Sequence, residues 1–156
     1  MFRLDGKRCL ITGGGTGIGY GIADVFAQQG ARVALSGRRL DVLEGAVARL
    51  EASHGAGCAV AVQGDVSEVE GARSMVAECI TKLGGIDLLV NSAGSVDRVT
   101  SLDSTIEGWD SIFALNVRGT FITCQEAIRW MVEHGGGSIV NISSTASEKA
   151  YSPAAS

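Results

Sequence analysis

Thr12-Gly13-Gly14-Gly15-Thr16-Gly17-Ile18-Gly19 decides how the rest of the chain is read. Ahead of it stands the apolar run Arg8-Cys9-Leu10-Ile11, and behind it the helical spacing Ile18, Ile22, Phe26. A strand, a glycine turn and a helix start in that order make a cradle for phosphate, because the first helical turn offers unpaired N–H donors and the positive end of its dipole. Glycine at 13, 17 and 19 removes side chains that would hold a pyrophosphate away from the backbone. Each charge–dipole contact contributes only about 0.3–1 kcal/mol, so tight binding needs several together. The pattern is T-G-x-x-x-G-x-G, and no three glycines fall at the offsets of the G-x-G-x-x-G dinucleotide fingerprint.

Around this turn lie 156 residues with 46% hydrophobic content, 22 glycines and one proline, a composition that predicts one compact α/β domain rather than a disordered chain. Such a length buries roughly 70% of the unfolded surface. A net charge of −4, with Lys and Arg scattered, leaves no basic footprint for nucleic acid or an anionic membrane. The start, Met1 to Arg8, mixes both charges before any apolar run, so it lacks the apolar core of a secretion signal, and no run reaches the length of a transmembrane helix. Cys9, Cys58, Cys79 and Cys124 lie far apart without a C-x-x-C pair, and His54 and His134 have no metal-ligand spacing. The expectation is therefore no metal, and four reduced, mostly buried cysteines in a cytoplasmic protein.

Runs at 8–12, 31–36, 58–63, 86–91 and 138–143 read as strands. Between them come helical spacings: the first ends near Gly30, the second spans 40–52, the third spans 68–83 and closes at Gly84-Gly85, and the last runs from Ile106 to about His134. This alternation predicts a Rossmann-type, doubly wound parallel sheet in the spatial order 3-2-1-4-5. Ligands of such sheets bind outside the carboxyl ends of the strands, and the end of the second strand reads the adenosine ribose. An acid there suits NAD, whereas a cation suits the extra phosphate of NADP. Here Gly37-Arg38 follows the strand, so Arg38 is either a phosphate ligand or a solvated arginine. The absence of an aspartate that would repel phosphate favours the ligand, with NADP as cofactor. Asn116 and Gly119 interrupt the last helical pattern, and a polar Asn among apolar neighbours is usually a local backbone device.

The glycine turn in this setting, with Asn91-Ser92-Ala93-Gly94 after the fourth strand and Ser143-Ser144 at the tip of the fifth, resembles the short-chain dehydrogenase/reductase family along the whole chain. The resemblance implies that Thr12, Gly13, Gly17, Ile18 and Gly19 form the cofactor turn. It implies that Asp65 hydrogen-bonds the adenine amino group with Val66 against the ring, beside the alternative that Asp65 caps the helix starting at Glu68. Asn91 would bond the backbone of neighbouring strands, and small Ala93 and Gly94 would leave room for the ribose, while Ser92 departs from the family's second asparagine. Asn116 would sit at a helix kink and hold a water of the proton relay, beside the plainer reading of a helix break. Ser144 would hydrogen-bond the substrate carbonyl or alcohol, beside that of a strand-end serine bonded to local backbone. The implied partners are a small-molecule carbonyl or alcohol and further copies of the chain, as a dimer or tetramer.

The family's remaining chemistry sits in Tyr-x-x-x-Lys, whose ammonium lowers the phenol pKa from about 10. Tyr151 has Ala155 four positions on, and Lys149 precedes it. The family's spacing from the serine predicts the tyrosine just past Ser156. The expectation is a dinucleotide-binding domain over 1–156, truncated before its final strands and inactive by itself, from an enzyme that moves hydride between NADP(H) and a carbonyl or secondary alcohol. A nucleotide-binding sensor without turnover would keep Gly13, Gly17, Gly19 and Arg38 but need neither Ser144 nor Asn116. An S-adenosylmethionine methyltransferase would share the glycine turn but expects an acid where Gly37 stands.

Overall fold

The computed structural model describes residues 3–145. Five parallel strands, β1 (Arg8–Thr12), β2 (Arg32–Gly37), β3 (Ala59–Gln63), β4 (Leu88–Asn91) and β5 (Ser138–Asn141), form one sheet in the order β3-β2-β1-β4-β5. Between them run α1 (Gly17–Gln28), α2 (Leu40–His54), α3 (Val69–Leu83), α4 (Ile106–Phe113) and α5 (Thr120–Glu133). This is the doubly wound Rossmann-type arrangement that the alternation predicts. β1 has the expected bounds, β2 is shifted by one residue, and β3, β4 and β5 are shorter than their runs, yet the ends of β4 and β5 stay bonded. Asp87 N–H donates to the Arg8 carbonyl at 2.9 Å before β4 begins, and Ile142 N–H donates to the Asn91 carbonyl at 2.9 Å after β5 ends.

Because successive side chains of a strand point to opposite faces, β1 feeds two cores at once. Cys9 and Ile11 pack with Ala23 of α1 and Leu43, Ala46 and Leu50 of α2, whereas Leu10 packs with Met75, Val76 and Cys79 of α3 and Ala127 and Met131 of α5. Small residues let α1 lie close on the sheet: its buried positions are Gly19, Ala23 and Ala27. Gly84 ends α3 in the left-handed conformation at φ +81°, as the Gly84-Gly85 pair predicts. All four cysteines are free. No described helix is long and apolar enough to cross a membrane.

The pattern from Ile106 to His134 does not break at Asn116. A π-helical segment, Ala114–Gly119, joins α4 to α5, and the residues flanking it keep right-handed helical angles. The odd spacing of Asn116 and Gly119 is therefore absorbed by one wide turn. π-Helical turns of this kind are rare and concentrate at functional sites.

At the outer strand β3, the Cys58 carbonyl accepts from Val33 N–H at 2.8 Å and Gly64 N–H donates to the Gly37 carbonyl at 3.0 Å, so even-numbered residues face β2. Odd-numbered backbone groups turn outward. One of them, the Ala61 carbonyl, accepts from Lys82 Nζ at 2.7 Å, and Glu78 holds the same ammonium at 2.7 Å.

Candidate cofactor site

The carboxyl ends of β1, β2, β3 and β4 open into a cleft of about 480 Å³. Gly13, Gly17, Ile18, Gly19, Arg38, Asp65, Val66, Ala93 and Gly94, nine of the residues singled out from sequence, line it together. Thr12, Asn91, Asn116 and Ser144 do not.

The glycines of the turn divide the work. Gly13 holds φ +67°, and a Cβ there would lie 3.0 Å from Ala93 Cα and 3.2 Å from the Ser92 carbonyl oxygen. A Cβ on Gly19 would run into the Gly13 carbonyl. These two glycines thus let the turn close on itself and on the loop after β4, which differs from the sequence expectation that all three clear a path for phosphate. Gly17, at φ +55° with nothing within 4 Å of its Cβ position, is the one with an open face. It starts α1, and the Thr16 side chain makes no capping bond to the first-turn donors. Gly14 and Gly15 read as spacers in the sequence, but their space is also used. A Cβ on Gly14 would sit 2.9 Å from the Ile11 carbonyl oxygen, and one on Gly15 would sit 3.1 Å from Val42 Cγ1. Three consecutive glycines are the signal that the turn is tight throughout.

Thr12 is buried beneath the cleft, and its Oγ1 accepts from Ser92 N–H and Ala93 N–H, both at 3.1 Å. It holds the loop that lines the cleft. Asn91 reaches side chains, not the neighbouring backbone expected from the family pattern. Its Nδ2 donates to Asn141 Oδ1 at 2.9 Å and to Cys124 Sγ at 3.2 Å, and its Oδ1 accepts from Thr123 Oγ1 at 2.7 Å. The network ties α5 to β4 and β5 under the cleft. Burial pushes the Cys124 thiol up, against a smaller opposing effect of the Asn91 amide. Thr123 and Asn141 were not singled out in the sequence, where nothing marks them as partners of Asn91.

Asn116 uses both ends of its amide on Ser95: Oδ1 accepts from Ser95 N–H at 3.0 Å and Nδ2 donates to the Ser95 carbonyl at 2.8 Å. Gly94 leaves room for this, since a Cβ there would come within 3.3 Å of Asn116 Oδ1. Asp65 does not cap α3. Its Oδ1 accepts from Ser67 N–H at 2.9 Å and Ser67 Oγ at 2.7 Å, closing a turn before the helix, while Glu68 occupies the cap position. Arg38 and Arg39 both line the cleft, and among the described residues neither guanidinium has an ion-pair partner. Gly37 has room beside it, for a Cβ would meet only Leu43 Cδ2, at 3.7 Å. Ser144 follows β5, exposed at the carboxyl edge of the sheet, and Ile142 before it lines the cleft. Tyr151 and Lys149 lie outside the described residues.

The family model of the short chain dehydrogenase matches residues 7–156. D-threitol dehydrogenase of Mycolicibacterium smegmatis is 41% identical over 149 residues, covering 93% of this chain and 55% of that protein. Glucose 1-dehydrogenase of Gluconobacter oxydans is 39% identical over 143 residues, covering 90% and 53%. Among solved structures, a short-chain type dehydrogenase/reductase from Mycobacterium marinum superposes with a TM-score of 0.91 at 38% identity, over 97% of this chain and 61% of that one. A short chain dehydrogenase from Burkholderia cenocepacia J2315, in complex with NADP, superposes with a TM-score of 0.88 at 34% identity, over 96% and 60%. This chain spans about half the length of the curated relatives it matches. The glycine turn between β1 and α1, the parallel order β3-β2-β1-β4-β5 and the match over residues 7–156 place the chain in the short-chain dehydrogenase family.

Proposed function

We propose that the chain is the cofactor-binding part of an oxidoreductase that uses NADP(H) on a carbonyl or secondary alcohol. The observation that carries the choice of cofactor is Arg38, facing the cleft without an ion-pair partner among the described residues, beside a Gly37 with no carboxylate to repel phosphate. NADP(H) supplies the hydride. The open face of Gly17 and the uncapped start of α1 take the pyrophosphate, and the Arg38 guanidinium takes the 2′-phosphate with Arg39 near it. Asp65 accepts from the adenine amino group through the carboxylate oxygen that Ser67 leaves open, with Val66 against the ring. Ala93 and Gly94 make room for the nicotinamide ribose, and Ser144 hydrogen-bonds the substrate oxygen. Asn116 supports proton transfer through the π-helical segment it holds, since its amide is engaged at both ends by Ser95. The general acid of this reading is the tyrosine of the family's Tyr-x-x-x-Lys, a spacing that Tyr151, with Ala155 four positions on, does not match.

Relatives named for D-threitol, sorbitol and glucose put polyhydroxylated alcohols first among substrates to assay. Assembly as a dimer or tetramer is part of this reading. It is supported by Trp109, Phe113, Val117 and Phe121, which are exposed along α4, the π segment and α5. The cofactor choice is tested by calorimetry on the whole protein carrying Gly37→Asp with Arg38→Ile. Charge-assisted hydrogen bonds to the 2′-phosphate predict a loss of about ten- to a hundred-fold in NADP affinity and a gain for NAD. NADP still favoured after both changes refutes the assignment.

A further inference from the structure

Three residues of the π-helical segment reach two different walls of the cleft. Arg118 Nη2 donates to the Ser67 carbonyl at 2.7 Å. Gly119 is buried against the same loop, where a methyl group would run into the Val66 side chain and carbonyl. On the other side Asn116 grips Ser95, next to Gly94. Asp65 and Val66 line the cleft at the end of β3, and Ser92 to Gly94 line it at the end of β4, with β2 and β1 between those strands in the sheet. Nothing in the sheet ladder joins these loops directly. The π segment does, through Arg118 and Gly119 on one side and Asn116 on the other, and its Leu115 also lines the cleft.

We infer that this segment is a clamp that sets both cofactor-facing loops as one unit, with Arg118 a positioning residue for the adenine end. The inference rests on the cofactor reading above. Among the described residues Arg118 has no carboxylate partner, and its guanidinium is directed at the Ser67 carbonyl. A charged donor on a backbone carbonyl is stronger than a neutral one. It acts on a loop whose other hydrogen bonds are short-range, Ser67 N–H and Oγ to the Asp65 carboxylate at 2.9 and 2.7 Å and Glu68 N–H to the Asp65 carbonyl at 3.2 Å, and whose Val66 is buried against Gly119. Segments held by short-range bonds open locally at less cost than the strands they follow, so a long-range charged anchor such as Arg118 bears on their population.

The test is ADP binding and amide exchange in the whole protein. Arg118→Ala is expected to weaken ADP about fivefold, and Arg118→Lys to recover it to within about twofold. Exchange at the Ser67 and Glu68 amides is expected to rise about tenfold in Arg118→Ala while the amides of β1 stay protected. Asn116→Ala, which frees only the Ser95 side, is expected to weaken NADPH binding more than ADP binding. Unchanged ADP affinity in Arg118→Ala, unchanged exchange at Ser67 and Glu68, or faster exchange spread over β1 overturns the clamp. Failure of the unsubstituted protein to bind ADP overturns the cofactor reading itself, and the clamp with it.

Discussion

The two ends of the sheet treat charge in opposite ways. At the amino-terminal end, Arg8 binds Asp87 through Nε and Nη2, each at 2.8 Å, and the Gly84 carbonyl through Nη1 at 2.6 Å, while Arg8 N–H donates to the same carboxylate at 2.9 Å. At the carboxyl end, Arg38 and Arg39 face the cleft with no ion-pair partner among the described residues. A paired, half-buried charge is committed to the fold, because removing either partner strands the other. An unpaired guanidinium beside a glycine turn costs the fold little and remains available to a ligand. The same strands thus commit their charge to the fold at one end and leave it facing a cleft at the other.

The contrast breaks most severely at the glycine turn. Gly19→Val places side-chain carbons where the Gly13 carbonyl sits, so a loss of about 3 kcal/mol or more is expected in urea unfolding, together with loss of nucleotide binding by calorimetry. Thr12→Val keeps the shape but removes the acceptor for two N–H groups. Two half-buried donors left unpaired cost about 1–3 kcal/mol, and the looser Ser92–Gly94 wall is expected to weaken NADPH binding as well. A variant that loses stability and binds NADPH as before would separate Thr12 from the cleft.

At the opposite end, Asp87→Asn is expected to cost about 2 kcal/mol at pH 7 with nucleotide affinity unchanged. Its pH dependence carries a sign. The Arg8 guanidinium holds the Asp87 carboxyl below its ordinary range, so the contribution is full above the unfolded value of about 3.9 and is lost as pH falls through the lowered folded value. Urea melts of parent and variant are therefore expected to converge toward low pH. A gap that stays constant across that window would mean that packing, and not the ion pair, is lost. The smallest effect belongs to Gly37→Ala, expected within about 0.5 kcal/mol of the parent in the same melts, since its Cβ meets only Leu43 at ordinary contact distance and its φ is not in the left-handed region. A large loss there would show that the cleft does not have the room that the Gly37→Asp exchange needs.

Strand order and most of the cleft were legible in the sequence because their causes are local. An apolar run before Gly13, a helical spacing after Gly17 and a strand ending at Gly37 each lie within one window, and parallel crossovers leave few ways to connect them. Asn91 was legible as a strand-end residue but not in its partners. Thr123 lies 32 residues and Asn141 50 residues away, and only the register between β4 and β5 brings Asn141 opposite it. The π segment was visible only as a fault in a helical pattern. Whether such a fault breaks, kinks or widens a helix depends on what Asn116 and Gly119 touch, and Ser95 and Val66 are set by tertiary packing. The three glycines of the motif were legible as necessary, but two of them for a reason that only the folded turn displays.

Lys82 sets one border of the sheet apart from the other. Its ammonium occupies the outward carbonyl of Ala61 on β3, so a visiting strand arriving at that border would have to displace a charge-assisted bond before forming its first rung. The border at β5 has exposed Val140 and Ile142 beside it. The two borders of the described sheet are therefore unlike: the β5 border is apolar and open to pairing, and the β3 border resists the edge-to-edge templating through which open sheets aggregate.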